Sequence, residues 1–158
     1  MNRLIYVETS IPSFYFETRT PPEHQARRQW TRDWWEVGRL TDTLVTSLAV
    51  IAELERTPEP KKSEMLELIE PLPLLESPEA VDDLVTAYIA QKVMPADAAG
   101  DARHLALATF HECDILVTWN CRHIANANKT WHIQLINGQM GYKTPQLVTP
   151  MELLEATS

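Results

Sequence analysis

The chain has 158 residues, a length that suits one domain, and we expect a single domain across residues 1–158. Hydrophobic residues make up 44% of it and charged residues 23%, which is typical of a globular protein and argues against a disordered one. The formal net charge of −8 argues against non-specific binding of nucleic acid through a basic surface. Bound metal cations would reverse the local charge of an acidic site, so a nucleic-acid substrate is not excluded.

The N-terminal residues and the cysteines bear on the compartment. The first residues have too short an apolar stretch for a signal peptide, and no apolar run is long enough to span a membrane. Cys113 and Cys121 provide neither a disulfide framework nor a paired cysteine motif. We therefore expect a cytoplasmic protein that does not engage a membrane.

Strand-like and helical patterns alternate along the chain. Apolar runs predict strands at residues 3–8, 44–46, 115–118, 131–136 and 146–148, with an edge strand at best within 72–75. Helical spacing and caps predict helices from residue 12 and from residue 149, and over 22–40, 48–56, 60–70, 77–94 and 101–112. This alternation predicts an α/β fold, a three-layer α/β/α sandwich with a mainly parallel central sheet.

Polar side chains follow two of the predicted strands. Glu8, Thr9 and Ser10 stand at the end of the strand predicted at residues 3–8, and Thr118 and Asn120 stand at the end of the one predicted at residues 115–118. In parallel sheets, sites lie outside the carboxyl ends of the strands, so these residues are candidates for one site. The four glycines form neither a dinucleotide fingerprint nor a phosphate loop, and no serine sits between glycines as a nucleophile elbow requires.

Two acids on predicted helices are further candidates. Glu53 lies in an otherwise apolar helix, where a carboxylate is costly unless it is paired or binds a cation; alternatively it lies at the wet edge and pairs with Arg56. Asp101 begins a helix, where an acid ordinarily serves as a cap or favours the helix dipole. If these acids and the strand-end groups converge, they form an oxygen-rich cluster of the kind that binds Mg²⁺ or Mn²⁺. The chemistry that such a bound ion implies is hydrolysis of a phosphodiester.

Several blocks of the sequence, in order, resemble the PIN-domain family and, within it, the VapC-type toxin ribonucleases. The resemblance extends over nearly the whole chain. The first block carries Glu8 in an acid–Thr–Ser turn, and the next three carry Glu53, Asp101 and Asn120. The resembling segments are residues 5–12, 45–54, 100–108, 114–124 and 147–154.

This resemblance implies a fold, an activity and partners. The implied fold is the same three-layer sandwich, and the implied activity is metal-dependent cleavage of RNA phosphodiesters. Glu8, Glu53 and Asp101 would hold Mg²⁺ or Mn²⁺, and Asn120 would orient a ligand or the attacking water. A toxin of this family would be neutralised by an antitoxin protein and would form a homodimer.

The chain departs from the family pattern at two positions. The first acid is usually Asp and is here Glu8, and a second acid of the fourth block is replaced by His123. His123 could contact substrate phosphate or transfer a proton, but a turn histidine bonded to backbone is the favoured interpretation. These departures support an alternative function: a PIN-fold interaction module with weak or no catalysis.

Three hydroxyl side chains beside the candidate acids have two interpretations. Thr9, Ser10 and Thr118 could orient ligands from an outer shell. They could equally be turn hydroxyls that satisfy backbone groups.

Residues 23–39 form the one locally basic and aromatic stretch, with Arg27, Arg28, Arg32 and three tryptophans. Such a helix could stack bases and hold phosphates. It could also pack its tryptophans against a second subunit or an antitoxin. The family resemblance favours the protein partner.

Overall fold

A five-stranded parallel sheet organises residues 2–155, the part of the chain that the computed structural model describes. The strand order is β3-β2-β1-β4-β5, and every neighbouring pair is parallel. The strands are β1 Leu4–Val7, β2 Thr43–Ser47, β3 Leu74–Leu75, β4 Ile115–Val117 and β5 Gln146–Val148.

Helices cover the sheet on both faces and complete the three-layer α/β/α sandwich, which confirms the predicted fold class. They are α1 Ser10–Tyr15, α2 Pro22–Thr41, α3 Leu48–Leu54, α4 Lys61–Ile69, α5 Glu79–Ala90, α6 Ala99–Phe110, α7 Ala127–Gln139 and α8 Pro150–Glu155. Helix α2 packs against α1 and α8, and helix α5 packs against α6 and α7. None of the helices within residues 2–155 combines the length and apolarity that crossing a membrane requires.

The two central strands are buried on both faces, as their unbroken apolar runs predict. Ile5, Tyr6 and Val7 of β1 are fully buried, as are all three residues of β4. With β1 in the middle of the sheet, the residue after β1 lies between the carboxyl ends of β2 and β4. The sheet order therefore places Glu8 at the centre of the edge where a site is expected.

The predicted strand over residues 131–136 is wrong, because this segment lies within helix α7. Ile133, Ile136 and Asn137 are buried at helical spacing, whereas Trp131 is 65% exposed and Leu135 is 49% exposed. A short run of apolar residues does not distinguish a strand from a helix by periodicity. Here the exposed Trp131 and Leu135 are part of the apolar run that favoured a strand.

The end of α1 is held by a partly buried ion pair. Glu17 is 5% exposed, and its Oε1 accepts hydrogen bonds from the backbone nitrogens of Thr18 and Arg19. The guanidinium of Arg19 donates to both carboxylate oxygens, at 2.9 and 2.6 Å. The hydrogen bond from Arg19 is the main cause that lowers the pKa of Glu17 to about 2, against the opposing effect of burial.

We predict that Glu17→Gln removes an acid-sensitive part of the stability. Because the folded-state pKa is lowered, the charged carboxylate stabilises the fold above its ordinary pKa of 4.5, and this contribution disappears as the pH falls through about 2. The difference in unfolding free energy between wild type and Glu17→Gln, measured by urea titration, should therefore shrink between these two pH values. Glu36→Gln, at the exposed pair with Arg39, is the control and should change stability little at neutral pH. A difference that stays constant down to pH 2 would contradict the prediction.

Candidate active site at the carboxyl edge of the sheet

Glu8 lies at the carboxyl end of β1 and is held by donors from two segments. Its Oε1 accepts hydrogen bonds from Ser10 N at 3.1 Å, Ser10 Oγ at 2.5 Å and Thr118 Oγ1 at 2.6 Å. Ser10 Oγ accepts in turn from Trp119 N at 2.7 Å. The hydroxyls of Ser10 and Thr118 thus fix the carboxylate of Glu8, which is 5% exposed.

Glu53, on α3, is paired with a histidine that belongs to a distant part of the sequence. Its Oε1 accepts from His104 Nε2, on α6, and from Thr9 Oγ1 at 3.2 Å. The Glu53 side chain is 33% exposed, whereas His104 is fully buried. Of the two alternatives left open by the sequence, Glu53 is therefore paired, but its partner is His104 and not Arg56.

A chain of buried polar groups continues behind His104. The hydroxyl of Tyr6 lies 2.8 Å from His104 Nδ1 and 2.7 Å from Ser47 Oγ. Ser47 is also the cap of α3, since its Oγ accepts from Val50 N. With His104 protonated on both nitrogens, Nε2 donates to Glu53, Nδ1 donates to Tyr6, and the Tyr6 hydroxyl donates to Ser47.

The surrounding charges favour this protonation state. Burial alone lowers the pKa of His104, but the hydrogen bond to Glu53 opposes it. The negative charges of Glu8, Glu53 and Asp101 act in the same direction, and the pKa of His104 lies above its ordinary value. For Glu53, burial alone would raise the pKa of the carboxyl group. The hydrogen bond and the charge of His104 outweigh burial, and the pKa of Glu53 lies below its ordinary value. Both shifts favour the charged forms of Glu53 and His104, whose side chains pair through Oε1 and Nε2.

The remaining predicted residues lie at the rim of this network. The carboxylate of Asp101, in the first turn of α6, makes no hydrogen bond to any of residues 2–155, but its charge acts on His104. Asn120 follows β4, and its Oδ1 accepts from His123 N at 2.9 Å. His123 Nδ1 is buried without a hydrogen-bond partner among residues 2–155, so its ring is not the backbone-bonded turn histidine that was favoured.

The three predicted acids all influence the buried ring of His104, but they do not form a ligand set as they stand. Carboxylates are the donors that hard cations prefer, so the donor types suit Mg²⁺ or Mn²⁺. Within residues 2–155, however, no three His, Cys, Asp or Glu side chains form a group that could hold a metal ion. Glu8 is engaged by Ser10 and Thr118, and Glu53 is engaged by His104.

Sequence reasoning missed His104 and Tyr6 as site residues. His104 lies three residues after Asp101 on one helix, at a position whose neighbours Leu105 and Ala106 are fully buried. A histidine at a core position, one turn from a candidate acid, is the signal that was available. Tyr6 had a weaker signal, since a tyrosine in a buried strand needs a partner for its hydroxyl.

We predict that Tyr6→Phe destabilises the fold. The change leaves His104 Nδ1 and Ser47 Oγ without the Tyr6 hydroxyl, and a buried polar group that loses its partner costs about 1–3 kcal/mol. The measurement is the free energy of unfolding in urea at neutral pH. Tyr142→Phe is the matched control, because the Tyr142 hydroxyl makes no hydrogen bond to residues 2–155. Equal stabilities of the two variants would contradict a structural role for the network.

Comparisons with known proteins identify the fold. No model of a known protein family matches the sequence, and no curated protein matches it. The chain is similar to a solved structure, that of VapBC2 from Rickettsia felis bound to a DNA fragment from their promoter, with a TM-score of 0.55 and 13% identity. The match covers 92% of this chain and 96% of that chain. At this identity the match shows that the chain shares the fold of that structure, which agrees with the PIN-like fold that its sequence blocks resemble.

Proposed function

We propose that this chain is a divalent-metal-dependent endoribonuclease and the toxin of a toxin–antitoxin pair. The observation that carries the proposal is the meeting of acids from distant segments: Thr9, the residue after Glu8, donates to Glu53 Oε1 at 3.2 Å, and Glu53 pairs with His104 on the helix of Asp101. Glu8, Glu53 and Asp101 all act on the pKa of His104, and they do so at the carboxyl edge of a parallel sheet. Acids gathered at this edge provide a negatively charged crevice that suits a hard cation and a phosphodiester.

The structural likeness to VapBC2 supports the toxin–antitoxin part of the proposal. On this basis we propose an antitoxin protein as a partner, a homodimer as the assembly and the cytoplasm as the compartment. The acidic net charge of −8 fits an RNA substrate only if cations offset the charge of the crevice.

The proposed metal ligands are Glu8, Glu53 and Asp101. When bound, Mg²⁺ or Mn²⁺ would polarise a phosphoryl oxygen and lower the pKa of a coordinated water. Ser10 and Thr118 hold one oxygen of Glu8 and leave its Oε2 without a hydrogen bond to residues 2–155. His104 and Thr9 likewise donate to Oε1 of Glu53, and its Oε2 has no hydrogen bond to residues 2–155.

Asn120 has a different part in the proposal. Its Oδ1 is used by the backbone of His123, so the amide NH₂ is the group left to face a ligand. An amide NH₂ donates hydrogen bonds, which suits a phosphate oxygen or the lone pair of the attacking water. Asn120 is therefore proposed as a substrate- or water-orienting residue and not as a metal ligand.

We predict that amide variants of the acids abolish RNA cleavage. Single-turnover cleavage of single-stranded RNA with Mn²⁺ should fall more than about 100-fold in Glu8→Gln, Glu53→Gln and Asp101→Asn, because even outer-shell changes cost 10- to 100-fold at metal sites. Asp83→Asn, on the exposed face of α5, makes the same chemical change away from the crevice and should cleave at the wild-type rate. Activity that survives both chelation and Glu53→Gln would show that the metal site is wrongly assigned.

A second candidate function is a PIN-fold interaction module without useful catalysis. The observation that favours it is the pairing of Glu53 with His104, together with the absence of a metal-binding group of three such side chains within residues 2–155. In this case the acids at the carboxyl edge of the sheet would belong to a fold that persists without catalysis.

Calorimetric titration with Mn²⁺ distinguishes the two functions. For a nuclease we expect binding to the wild-type chain that weakens at least about 10-fold in Asp101→Asn, since loss of an anionic donor removes part of the attraction for a hard cation. Asp83→Asn should bind Mn²⁺ like the wild type. No heat of binding at millimolar Mn²⁺ would favour the interaction module.

A further inference from the structure

Each of the two glutamates of the candidate site has one carboxylate oxygen that is saturated with hydrogen-bond donors. Glu8 Oε1 accepts from Ser10 N at 3.1 Å, from Ser10 Oγ at 2.5 Å and from Thr118 Oγ1 at 2.6 Å. Glu53 Oε1 accepts from Thr9 Oγ1 at 3.2 Å and from His104 Nε2. A carboxylate oxygen has about two lone-pair sites, so neither Oε1 has one left for a cation.

The other oxygens of the acids are not engaged. Oε2 of Glu8 and Oε2 of Glu53 make no hydrogen bond to residues 2–155, and neither does the carboxylate of Asp101. A cation at Glu53 Oε2 competes with His104 for the charge of that carboxylate, but not for its Oε1. Each glutamate can therefore bind an ion through one oxygen, and binding through both oxygens would first have to break one of these hydrogen bonds.

The hydroxyls that hold Glu8 are themselves held by the backbone. Ser10 Oγ accepts from Trp119 N at 2.7 Å, and Thr118 Oγ1 accepts from Asn120 N at 2.9 Å. A hydroxyl has a single hydrogen to donate, and in both residues Glu8 is there to accept it. The two interpretations left open by the sequence thus apply together, since these hydroxyls satisfy backbone nitrogens and also hold a carboxylate.

The number of free oxygens bears on the kind of cation that fits. Ca²⁺ takes about six to eight oxygen ligands and often uses both oxygens of a carboxylate, whereas Mg²⁺ takes about six and keeps several waters. One oxygen from each glutamate, together with the carboxylate of Asp101, is a small donor set that suits an ion that stays largely hydrated. This agrees with the lack, among the residues that the structure describes, of three His, Cys, Asp or Glu side chains that could hold a metal by themselves.

We propose that the donors to Oε1 of Glu8 and to Oε1 of Glu53 determine which cation the site accepts. By occupying one oxygen of each glutamate, they select a small hydrated ion, Mg²⁺ or Mn²⁺, against Ca²⁺. They act through the carboxylates, so they are positioning residues: Ser10, Thr118, Thr9 and His104. The inference rests on the proposed function for the presence of a metal site, and it adds the origin of the metal selectivity.

The test uses the full chain and the metal ions alone, without RNA. The electron paramagnetic resonance signal of free Mn²⁺ reports binding of Mn²⁺, and displacement by Mg²⁺ or Ca²⁺ gives the affinity for each competitor. The measured quantity is the ratio of the Ca²⁺ affinity to the Mg²⁺ affinity, because a partial loss of folded protein lowers both affinities alike. For the wild type we expect Mg²⁺ to displace Mn²⁺ at least as well as Ca²⁺ does.

Thr9→Val keeps the shape of the side chain and removes one of the two donors to Glu53 Oε1. It should raise the ratio of Ca²⁺ to Mg²⁺ affinity about 10-fold, since changes in the groups that hold a metal ligand shift metal affinity by about 10- to 100-fold. Thr9→Ser keeps a hydroxyl and should restore the wild-type ratio. Ser10→Ala combined with Thr118→Val leaves one of the three donors to Glu8 Oε1 and should shift the ratio in the same direction.

Thr41→Val is the matched control. Thr41 Oγ1 donates to Asp42 Oδ2 at 2.9 Å, and this carboxylate pairs with Arg3 at the amino edge of the sheet. The variant therefore removes a hydroxyl donor from a carboxylate outside the candidate site, and its ratio should equal that of the wild type. Melting temperatures report folding, and if the double variant does not fold, Thr9→Val and Thr9→Ser decide the outcome.

The outcomes separate this inference from the proposed function. A wild-type ratio in Thr9→Val and in the double variant would overturn the inference, and so would a wild-type chain that binds Ca²⁺ more tightly than Mg²⁺. RNA cleavage with Mn²⁺ in either case would leave the proposed nuclease intact. If the ratio shifts as expected but the wild type cleaves no RNA, the inference stands and the nuclease fails. A wild-type chain that binds none of the three ions overturns both.

Discussion

The buried histidine His104 is the constraint on which the rest of the site depends. It is fully buried, and it joins β1 through Tyr6 and α3 through Glu53. A polar group in the core is costly unless it is hydrogen-bonded, and an isolated charge costs more. His104 therefore needs both partners, although they lie far apart in the sequence. The same requirement brings Glu53 to the edge where Glu8 already lies.

The two sides of the site are held by different kinds of interaction. Glu8 is fixed by neutral donors, the hydroxyls of Ser10 and Thr118, so its charge is not cancelled by a cation. Glu53 pairs with the ring of His104, whose hydrogen bond outweighs the effect of burial and lowers the pKa of the carboxylate. Metal binding at this edge would then compete with His104 for Glu53 alone, and Glu8 and Asp101 would supply the negative charge that attracts the ion.

The sequence by itself determined the layers of the fold and the acids of the candidate site. Apolar runs and helical spacing are local properties, so they predicted the parallel sheet and most elements. They failed at residues 131–136, where the apolar run includes the exposed Trp131 and Leu135 and belongs to α7. Only the tertiary structure decided the partners of those acids. Periodicity shows that His104 faces the core, but not that Tyr6 and Glu53 meet it there, because the contact depends on how β1, α3 and α6 pack. The exposure of Trp30 and the burial of Trp34 were decided in the same way, since the packing of α2 against its neighbours determines which side of the helix meets water.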